Sequence, residues 1–266
     1  MAGNYFRQHL RQTDHRTLIK MEHYLRLYGR LMRRYRGRTV RFLEIGIFRG
    51  GSIPMWQGFF APDSHLVFAD IDPGCRNLAG PGVHIEIGDQ ADPAFLDQLA
   101  RQHGPFDIIV DDGGHLMYQQ IASLNGLWPH LADGGLYVVE DTHTSYWPGF
   151  GGGLRIEGSF IEHAKRLIDA MHSWYTDDDQ GFPLDPLARE IGSVQFYDSL
   201  TVIEKLLHDA PVWLSARNGE ITRDSTPLQR RNRTSVFPDP RKAAPKTGHS
   251  DEREEPQKDS ATATAP

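Results

Sequence analysis

Apolar and polar positions follow one another along the chain in an order that predicts a layered α/β domain. Short apolar runs of strand length alternate with segments in which apolar residues recur every three or four positions, as on one face of a helix. The predicted strands are residues 40–45, 65–70, 83–87, 106–110 and 136–140, and the predicted helices include 92–103 and 117–130. Such βαβ units build a mostly parallel sheet covered on both faces, so we expect a Rossmann-like, doubly wound α/β fold.

Other patterns flank this region. Before it, apolar residues at helical spacing predict one amphipathic helix from Asp14 to about Tyr35. After it, residues 158–174 predict a helix, and residues 193–196 and 200–203 predict two strands. Too few residues separate these two strands for a crossover connection, so we expect an antiparallel hairpin at the edge of the sheet.

The ends of the chain differ from its middle. Residues 238–266 are rich in proline, charged and small residues and contain no large apolar side chain, so they cannot bury enough surface to offset the entropy of ordering. We therefore divide the chain into an N-terminal helical segment (1–38), a main α/β domain that carries the candidate chemistry (39–210) and a weakly ordered to disordered C-terminal tail (211–266).

Composition excludes some classes of protein. Of the 266 residues, 39 % are hydrophobic, enough for one sizeable core, and the net charge of −6 argues against a nucleic-acid partner. A single cysteine, Cys75, excludes an intramolecular disulfide and fits a reducing compartment. No apolar run approaches the roughly 20 residues of a membrane span, and the first residues lack the apolar core of a secretory signal. We therefore expect a cytoplasmic protein with no membrane partner.

Carboxylates and histidines follow two neighbouring predicted strands. Asp112 and His115 come after the strand 106–110, and Glu140-Asp141 end the strand 136–140. Ligands in open α/β sheets bind outside the carboxyl ends of the strands, so these side chains can converge on one pocket. Asp112, Glu140 and Asp141 would supply hard oxygen ligands for a divalent cation, and His115 would supply a base.

Each of these residues also has a structural interpretation. Asp111 and Asp112 could cap the helix that follows, and Glu140-Asp141 could face solvent. A histidine after a strand is more often structural than catalytic, and His143, one strand away, is a competing base. Only the combination of these residues favours a site.

A glycine-rich turn, residues 44–52, follows the first strand. Glycines let backbone N–H groups approach an anion closely. Phe48 stands where the dinucleotide fingerprint requires its second glycine, which argues against an NAD-binding oxidoreductase. Asp70 ends the second strand and could bind both hydroxyls of a ribose, and Asp89-Gln90 follow the third. Three strand ends would thus contact a carboxylate, a ribose and a base, the layout for S-adenosylmethionine.

Together these motifs resemble class I S-adenosylmethionine-dependent methyltransferases. More narrowly, they are similar to the magnesium-dependent sugar O-methyltransferases of macrolide biosynthesis, of the mycinamicin type. The likeness covers roughly residues 13–205, and the motifs that carry it are residues 44–52, 88–90, 111–115, 140–152 and 196–205. The resemblance implies a seven-stranded sheet whose last strand is antiparallel.

The resemblance also implies the roles of site residues and two cofactors, S-adenosylmethionine and Mg²⁺. It implies that Asp112, Glu140 and Asp141 bind the metal and that His115 accepts a proton. The implied cofactor contacts are Thr13, Glu44, Gly46, Arg49, Gly50, Ser52, Asp70, Asp89, Gln90 and Asp112. His143, Tyr146 and Trp147 are expected to contact the acceptor, in a loop that forms either an aromatic lid or an ordinary surface loop.

The expected activity is methyl transfer to a sugar hydroxyl of a natural-product glycoside from a macrolide or polyketide pathway. A catechol-type O-methyltransferase, which also uses metal chelation by adjacent hydroxyls, is the first alternative. A non-catalytic protein that retains a cofactor-binding fold is the second. The expected partner is a small-molecule glycoside, and the apolar N-terminal helix and the edge hairpin could form a homo-oligomer interface.

Overall fold

Seven strands form one sheet in the computed structural model, which describes residues 2–12, 16–176 and 180–224. The strands are β1 (Arg41–Ile45), β2 (His65–Asp70), β3 (Val83–Ile87), β4 (Phe106–Asp111), β5 (Leu131–Val139), β6 (Ile191–Tyr197) and β7 (Leu200–Lys205). Their order across the sheet is β3-β2-β1-β4-β5-β7-β6. The first five pair in parallel, whereas β7 is antiparallel to both β5 and β6. The predicted doubly wound sheet, its single antiparallel strand and the edge hairpin are therefore confirmed.

Six α-helices accompany the sheet in the described part of the chain. They are α1 (Ala2–Gln12), α2 (Glu22–Leu31), α3 (Ser52–Phe59), α4 (Pro93–His103), α5 (Met117–Leu127) and α6 (Phe160–His172). No helix among the described residues is long and apolar enough to cross a membrane.

The two faces of the sheet carry separate cores, because side chains of a strand point alternately to opposite faces. On one face, Trp56 of α3 is fully buried and its ring packs against Phe6, Tyr28 and Phe42. The opposite face packs against α4, α5 and α6. Helices α1, α2 and α3 thus cover one face of the sheet and the remaining helices cover the other.

The prediction of one helix from Asp14 to Tyr35 is wrong in its first part. Helix α2 begins at Glu22, residues 16–21 have no helical structure, and α1 precedes them. A Cβ added at Gly51 would lie 2.3 Å from the carbonyl oxygen of Thr17, so the segment 16–21 packs directly on the start of α3. Tertiary contacts of this segment therefore override its helical spacing.

A second, two-stranded sheet lies in the region predicted to be weakly ordered. Strand β8 (Trp213–Arg217) pairs antiparallel with β9 (Glu220–Asp224). Asn218 and Gly219 connect them and both have positive φ, the conformation of the Asn-Gly hairpin turn. The prediction of a weakly ordered tail from residue 211 missed this hairpin, and its remainder from residue 225 lies outside the described residues.

Candidate active site

A cavity of about 480 Å³ lies at the carboxyl ends of the central strands. Predicted cofactor contacts that line it are Gly46, Ser52, Asp70, Asp89, Gln90 and Asp112, and His115 and Asp141 also reach it. Glu44, Arg49 and Gly50 are not among its lining residues, and the guanidinium of Arg49 instead lies 5.4 Å from the ring centroid of the exposed Phe48. Thr13 lies outside the described residues.

Packing requires glycine at the first position of the turn. Gly46 has a φ of +92°, and a Cβ there would lie 2.0 Å from the backbone oxygen of Asp112. The turn is held by Asp70, whose Oδ2 accepts hydrogen bonds from the N–H groups of Ile47 at 2.7 Å and Phe48 at 3.2 Å. Asp70 therefore shapes the turn as well as lining the cavity.

Gln90 connects the ends of β3 and β4. Its Oε1 accepts from the N–H of Gly114 at 2.8 Å, and its Nε2 donates to Asp111 Oδ1 at 3.0 Å. Asp111 is fully buried, and burial raises the pKa of its carboxyl to about 6, although hydrogen bonds from Ser123 and Gln90 oppose the rise. Helix α5 begins at Met117 without a side-chain cap, so neither aspartate caps it and that interpretation is wrong.

Three carboxylates, of which Glu44 and Glu140 are buried, surround the ammonium of Lys20. Lys20 Nζ lies 2.5 Å from Asp112 Oδ2, 2.6 Å from Glu140 Oε1 and 3.5 Å from Glu44 Oε1. Glu44 also accepts a hydrogen bond from Ser52 Oγ at 2.6 Å. Glu140 is 1 % exposed, so the interpretation that it faces solvent is wrong.

Burial and charge act in opposite directions in this cluster. Burial, followed by the nearby Asp112, raises the pKa of Glu140 to about 8, whereas Lys20 opposes the rise. The pKa of Glu44 is also raised, chiefly by burial. For Lys20, burial lowers the pKa, but Asp112, Glu140 and Glu44 outweigh it, and the pKa is raised well above its ordinary value. The ammonium of Lys20 thus remains charged at neutral pH.

The acidic side chains form two overlapping sets that could hold a metal. Asp112, His115 and Asp141 offer ligand atoms within 4.8 Å of one another, and so do Glu44, Asp112 and Glu140. The predicted ligands Asp112, Glu140 and Asp141 are thus divided between two sets that share Asp112. Nε2 of His115 lies 3.5 Å from Asp141 Oδ2 and 3.9 Å from Asp112 Oδ1.

Three site residues have left-handed backbone conformations. His115, Asp141 and Ser199 have φ values of 56°, 54° and 59°. The hydroxyl of Thr144 lies 3.1 Å from the carbonyl oxygen of His115 and 2.9 Å from that of Asp141. Such backbone strain clusters at functional sites, where the surrounding structure holds it in place. Thr144 therefore ties together the two residues on which the candidate chemistry depends.

Two tyrosines of α2 contact the carboxylates, and sequence reasoning missed both. The hydroxyl of Tyr24 lies 2.8 Å from Asp141 Oδ1 and accepts from the N–H of Asp141 at 3.1 Å. The hydroxyl of Tyr28 donates to Glu140 Oε1. Burial raises the pKa of both phenols, which keeps them as neutral donors. The four-residue step from Tyr24 to Tyr28, which places both side chains on one face of α2, is the sequence signal that could have revealed them.

A second cavity, of about 360 Å³, is lined by residues that follow Asp141 in the sequence. His143 and Tyr146, both predicted acceptor contacts, line it together with Lys165. The Nδ1 atom of His143 is hydrogen-bonded to Ser199 Oγ. Trp147 does not line this cavity, and its half-exposed ring packs edge-on against His143 with 4.6 Å between ring centroids.

The chain matches no protein-family model, but it is similar to several curated O-methyltransferases. It is 37 % identical over 206 residues to mycinamicin VI 2''-O-methyltransferase of Micromonospora griseorubida, and this match covers 70 % of this chain and 50 % of that relative. It is 36 % identical over 189 residues to demethylmacrocin O-methyltransferase of Streptomyces fradiae, covering 67 % and 47 %. The chain thus spans about half the length of the curated relatives it matches.

Solved structures show the same kinship. MycE methyltransferase from the mycinamycin biosynthetic pathway, in complex with Mg and SAH, superposes with a TM-score of 0.68 at 32 % identity, covering 77 % of this chain and 54 % of that chain. Fold and sequence together therefore identify a class I methyltransferase domain. Within that class, the chain is similar to sugar O-methyltransferases of the mycinamicin type.

Proposed function

We propose that this chain carries an S-adenosylmethionine- and Mg²⁺-dependent O-methyltransferase that acts on a sugar hydroxyl of a macrolide or polyketide glycoside. One observation carries the proposal: His115 Nε2 faces the carboxylates of Asp112 and Asp141 at the edge of a cavity formed by the strand ends of a class I methyltransferase fold. The relatives support it, because their names specify O-methylation and MycE was solved with Mg and SAH.

The donor set fits magnesium. Asp112, Glu140 and Asp141 would hold the ion, and their oxygens are the hard ligands that Mg²⁺ prefers. Asp112 belongs to both sets of possible ligands, so an ion bound there would lie beside Glu140 of one set and Asp141 of the other. When bound, the ion would lower the pKa of an acceptor hydroxyl.

The cavity fits the cofactor. Its volume of about 480 Å³ lies within the range of small-molecule sites. Gly46 and Ser52 border it on the turn and Asp70 and Asp89 at the next two strand ends, so an amino-acid carboxylate and a ribose would meet polar groups in that order. We propose these residues, together with Gln90 and Asp112, as its cofactor contacts, whereas Glu44, Arg49 and Gly50 do not line the cavity and would need to move to take part.

His115 is the proposed general base. As Nε2 accepts the proton of the hydroxyl, the imidazole becomes positively charged, and the carboxylates of Asp141 and Asp112 at 3.5 and 3.9 Å stabilise that charge. Thr144 holds the backbone of His115 and Tyr24 holds Asp141, so the base and its carboxylate partner keep their relative positions. Orientation of this kind supplies much of the rate of methyl transfer.

His143, Tyr146 and Trp147 are the proposed acceptor contacts. His143 and Tyr146 line the second cavity, while Trp147 borders it through its contact with His143. The bond from His143 Nδ1 to Ser199 Oγ favours a role for His143 in orienting the acceptor, rather than as the base.

Labelled S-adenosylmethionine tests this proposal directly. The protein is incubated with a panel of deoxysugar glycosides and catechols, with Mg²⁺ or with EDTA. We expect label to be transferred to a glycoside only when Mg²⁺ is present. Faster transfer to catechols would favour the catechol-type activity, and transfer that survives complete metal removal would contradict the metal-dependent mechanism. Cofactor binding without transfer to any acceptor would favour a non-catalytic protein.

We further propose that the chain is divided into an N-terminal helical segment (1–38), a catalytic domain (39–210) and a C-terminal tail (211–266). Lys20, Tyr24 and Tyr28 belong to the first part, so that segment contributes to the site rather than only packing against it. A cytoplasmic location, a homo-oligomeric state and the lack of a nucleic-acid partner stay predictions from the sequence.

A further inference from the structure

Lys20 reaches the carboxylate cluster from a segment without helical structure. Residues 16–21 pass over the start of α3, and the side chain of Lys20 is only 2 % exposed. Its ammonium lies 2.5 Å from Asp112 and 2.6 Å from Glu140, with Glu44 at 3.5 Å. A lysine buried this deeply is stable only with such partners, so its position depends on the carboxylates as much as they depend on it.

Two of these carboxylates are predicted metal ligands. Mg²⁺ binds oxygens at about 2.0–2.1 Å, closer than the ammonium approaches them here. Two cations that use the same oxygens repel each other strongly where water is excluded. The contacts of Lys20 with Asp112 and Glu140 and the binding of a divalent ion by these residues therefore oppose one another.

We propose that Lys20 is the resident counter-cation of the cluster and competes with the divalent ion for the oxygens of Asp112 and Glu140. This inference rests on the proposed metal dependence. It has a consequence for the cofactor side of the site, because Thr17, Leu18, Ile19 and Lys20 all line the cofactor cavity. Metal binding weakens the attachment of this wall, and by linkage the attached wall weakens metal binding.

The structure also contains a second possible ligand set, at which the affinity for the metal would not depend on Lys20. Asp112, His115 and Asp141 form a possible ligand set in which Lys20 contacts only Asp112, through Oδ2, whereas His115 faces Oδ1. A metal held by that set alone leaves the contact between Lys20 and Glu140 intact. Measurement of metal affinity separates the two arrangements.

The test is calorimetric titration of the apo protein with MgCl2 at a fixed alkaline pH, where protons compete least for the carboxylates. We expect Lys20→Met to bind Mg²⁺ at least about tenfold more tightly than the wild-type protein, because the competing charge is gone. Lys205→Met is the matched control, since Lys205 is also buried and ion-paired, with Glu190 at 3.4 Å, but lies outside the site. An unchanged or weaker affinity in Lys20→Met, with the control at the wild-type value, overturns the proposal.

A second measurement needs no variant. Hydrogen exchange of the wild-type protein is followed with and without MgCl2, and we expect faster exchange in residues 16–21 when the metal is present. Exchange there that is unchanged or slower contradicts the proposal even if Lys20→Met fails to fold. If Mg²⁺ binds the wild-type protein but neither effect appears, only this inference fails. If Mg²⁺ does not bind at all, the proposed metal dependence fails with it.

Discussion

Tyr24 shows how a residue outside the sheet controls a carboxylate at the end of a strand. Its hydroxyl contacts both the carboxylate and the backbone N–H of Asp141, and lies 2.7 Å from the carbonyl oxygen of Ser199. Hydrogen bonds to charged groups contribute about 1.5–3 kcal/mol each. Asp141 and Ser199 both have left-handed backbones, so loss of this hydroxyl releases two strained residues at once.

We therefore expect Tyr24→Phe to lower kcat at least about tenfold, equivalent to about 1.4 kcal/mol, with the affinity for S-adenosylhomocysteine unchanged. The control is Tyr35→Phe, which removes a hydroxyl bonded to the carbonyl oxygen of Gly134, away from the site. Steady-state kinetics and calorimetry on both variants provide the comparison. Equal kcat values for the two variants would show that Tyr24 does not position Asp141.

His115 and Asp141 are expected to be needed for turnover but not for cofactor binding. Loss of a general base lowers the rate by about 10²–10⁴-fold, so His115→Ala should abolish measurable methyl transfer. Asp141→Ala should do the same because it removes a proposed metal ligand. Both variants should still bind S-adenosylhomocysteine in calorimetry. The control is His172→Gln, because His172 is exposed on α6 and bonds only locally to Ile168. Normal product formation by either alanine variant would remove that residue from the mechanism.

The elements of this fold differ in how far local sequence determines them. Strands β2 and β3 have the predicted limits, since β2 is a short apolar run that ends at Asp70 and β3 alternates apolar and polar residues up to Gly88. The glycine turn was predictable for a similar reason, because only glycine fits against the backbone of Asp112. The start of α2 was not predictable, since Lys20 leaves the helical pattern to contact carboxylates that lie 24 to 120 positions away in the chain.

The sequence predicted which types of residue form the candidate site, but not how these residues are grouped in space. We expected polar residues at the ends of neighbouring strands to converge, and Asp112, His115 and Asp141 do lie close together. The grouping of Glu140 with Glu44 and Lys20 depends on how an N-terminal segment crosses the sheet, which no local pattern encodes. The Asn218-Gly219 turn between β8 and β9, by contrast, is a local signal that could have been recognised.

Three histidines cluster where β2, β3 and α4 meet at the opposite end of the strands. His65 Nε2 lies 2.9 Å from His103 Nδ1, and the rings of His65 and His84 are 4.3 Å apart. Burial, followed by His84, Arg41 and His103, lowers the pKa of His65 to about 4. The pKa of His84 is also lowered, first by burial and then by His103. The folded state therefore favours the neutral imidazoles of His65 and His84.

This cluster should make the protein less stable in acid. Between pH 6.5 and about 4, His65 is protonated in the unfolded chain but neutral in the folded protein. The free energy of unfolding therefore falls as pH decreases through that window. Asp111 acts in the opposite direction, because its raised pKa makes stability fall as pH rises towards about 6. A His65→Gln variant separates the two contributions.

Thermal unfolding at a series of pH values measures the effect. We expect the Tm of the wild-type protein to drop more steeply below pH 6.5 than that of His65→Gln, while His172→Gln follows the wild-type curve. Parallel curves for the wild-type protein and His65→Gln would mean that the cluster does not control acid stability.

The protein as a whole assembles its site from three sources. The sheet provides Asp112, Glu140 and Asp141 at its strand ends, and the turn after β1 borders the proposed cofactor cavity. The N-terminal segment provides Lys20, Tyr24 and Tyr28. The chain covers about half the length of the curated relatives and of MycE. The acceptor specificity of the protein is thus expected to depend on residues around the second cavity.

A crystal structure of the protein grown with MnCl2 and S-adenosylhomocysteine tests this assembly most directly. Mn²⁺ replaces Mg²⁺ on oxygen ligands and has a measurable anomalous signal. We predict one anomalous peak within bonding distance of Asp112, Glu140 and Asp141, with S-adenosylhomocysteine in the cavity beside Gly46 and Asp70. A peak located away from these carboxylates, or a cofactor bound outside that cavity, would contradict the account.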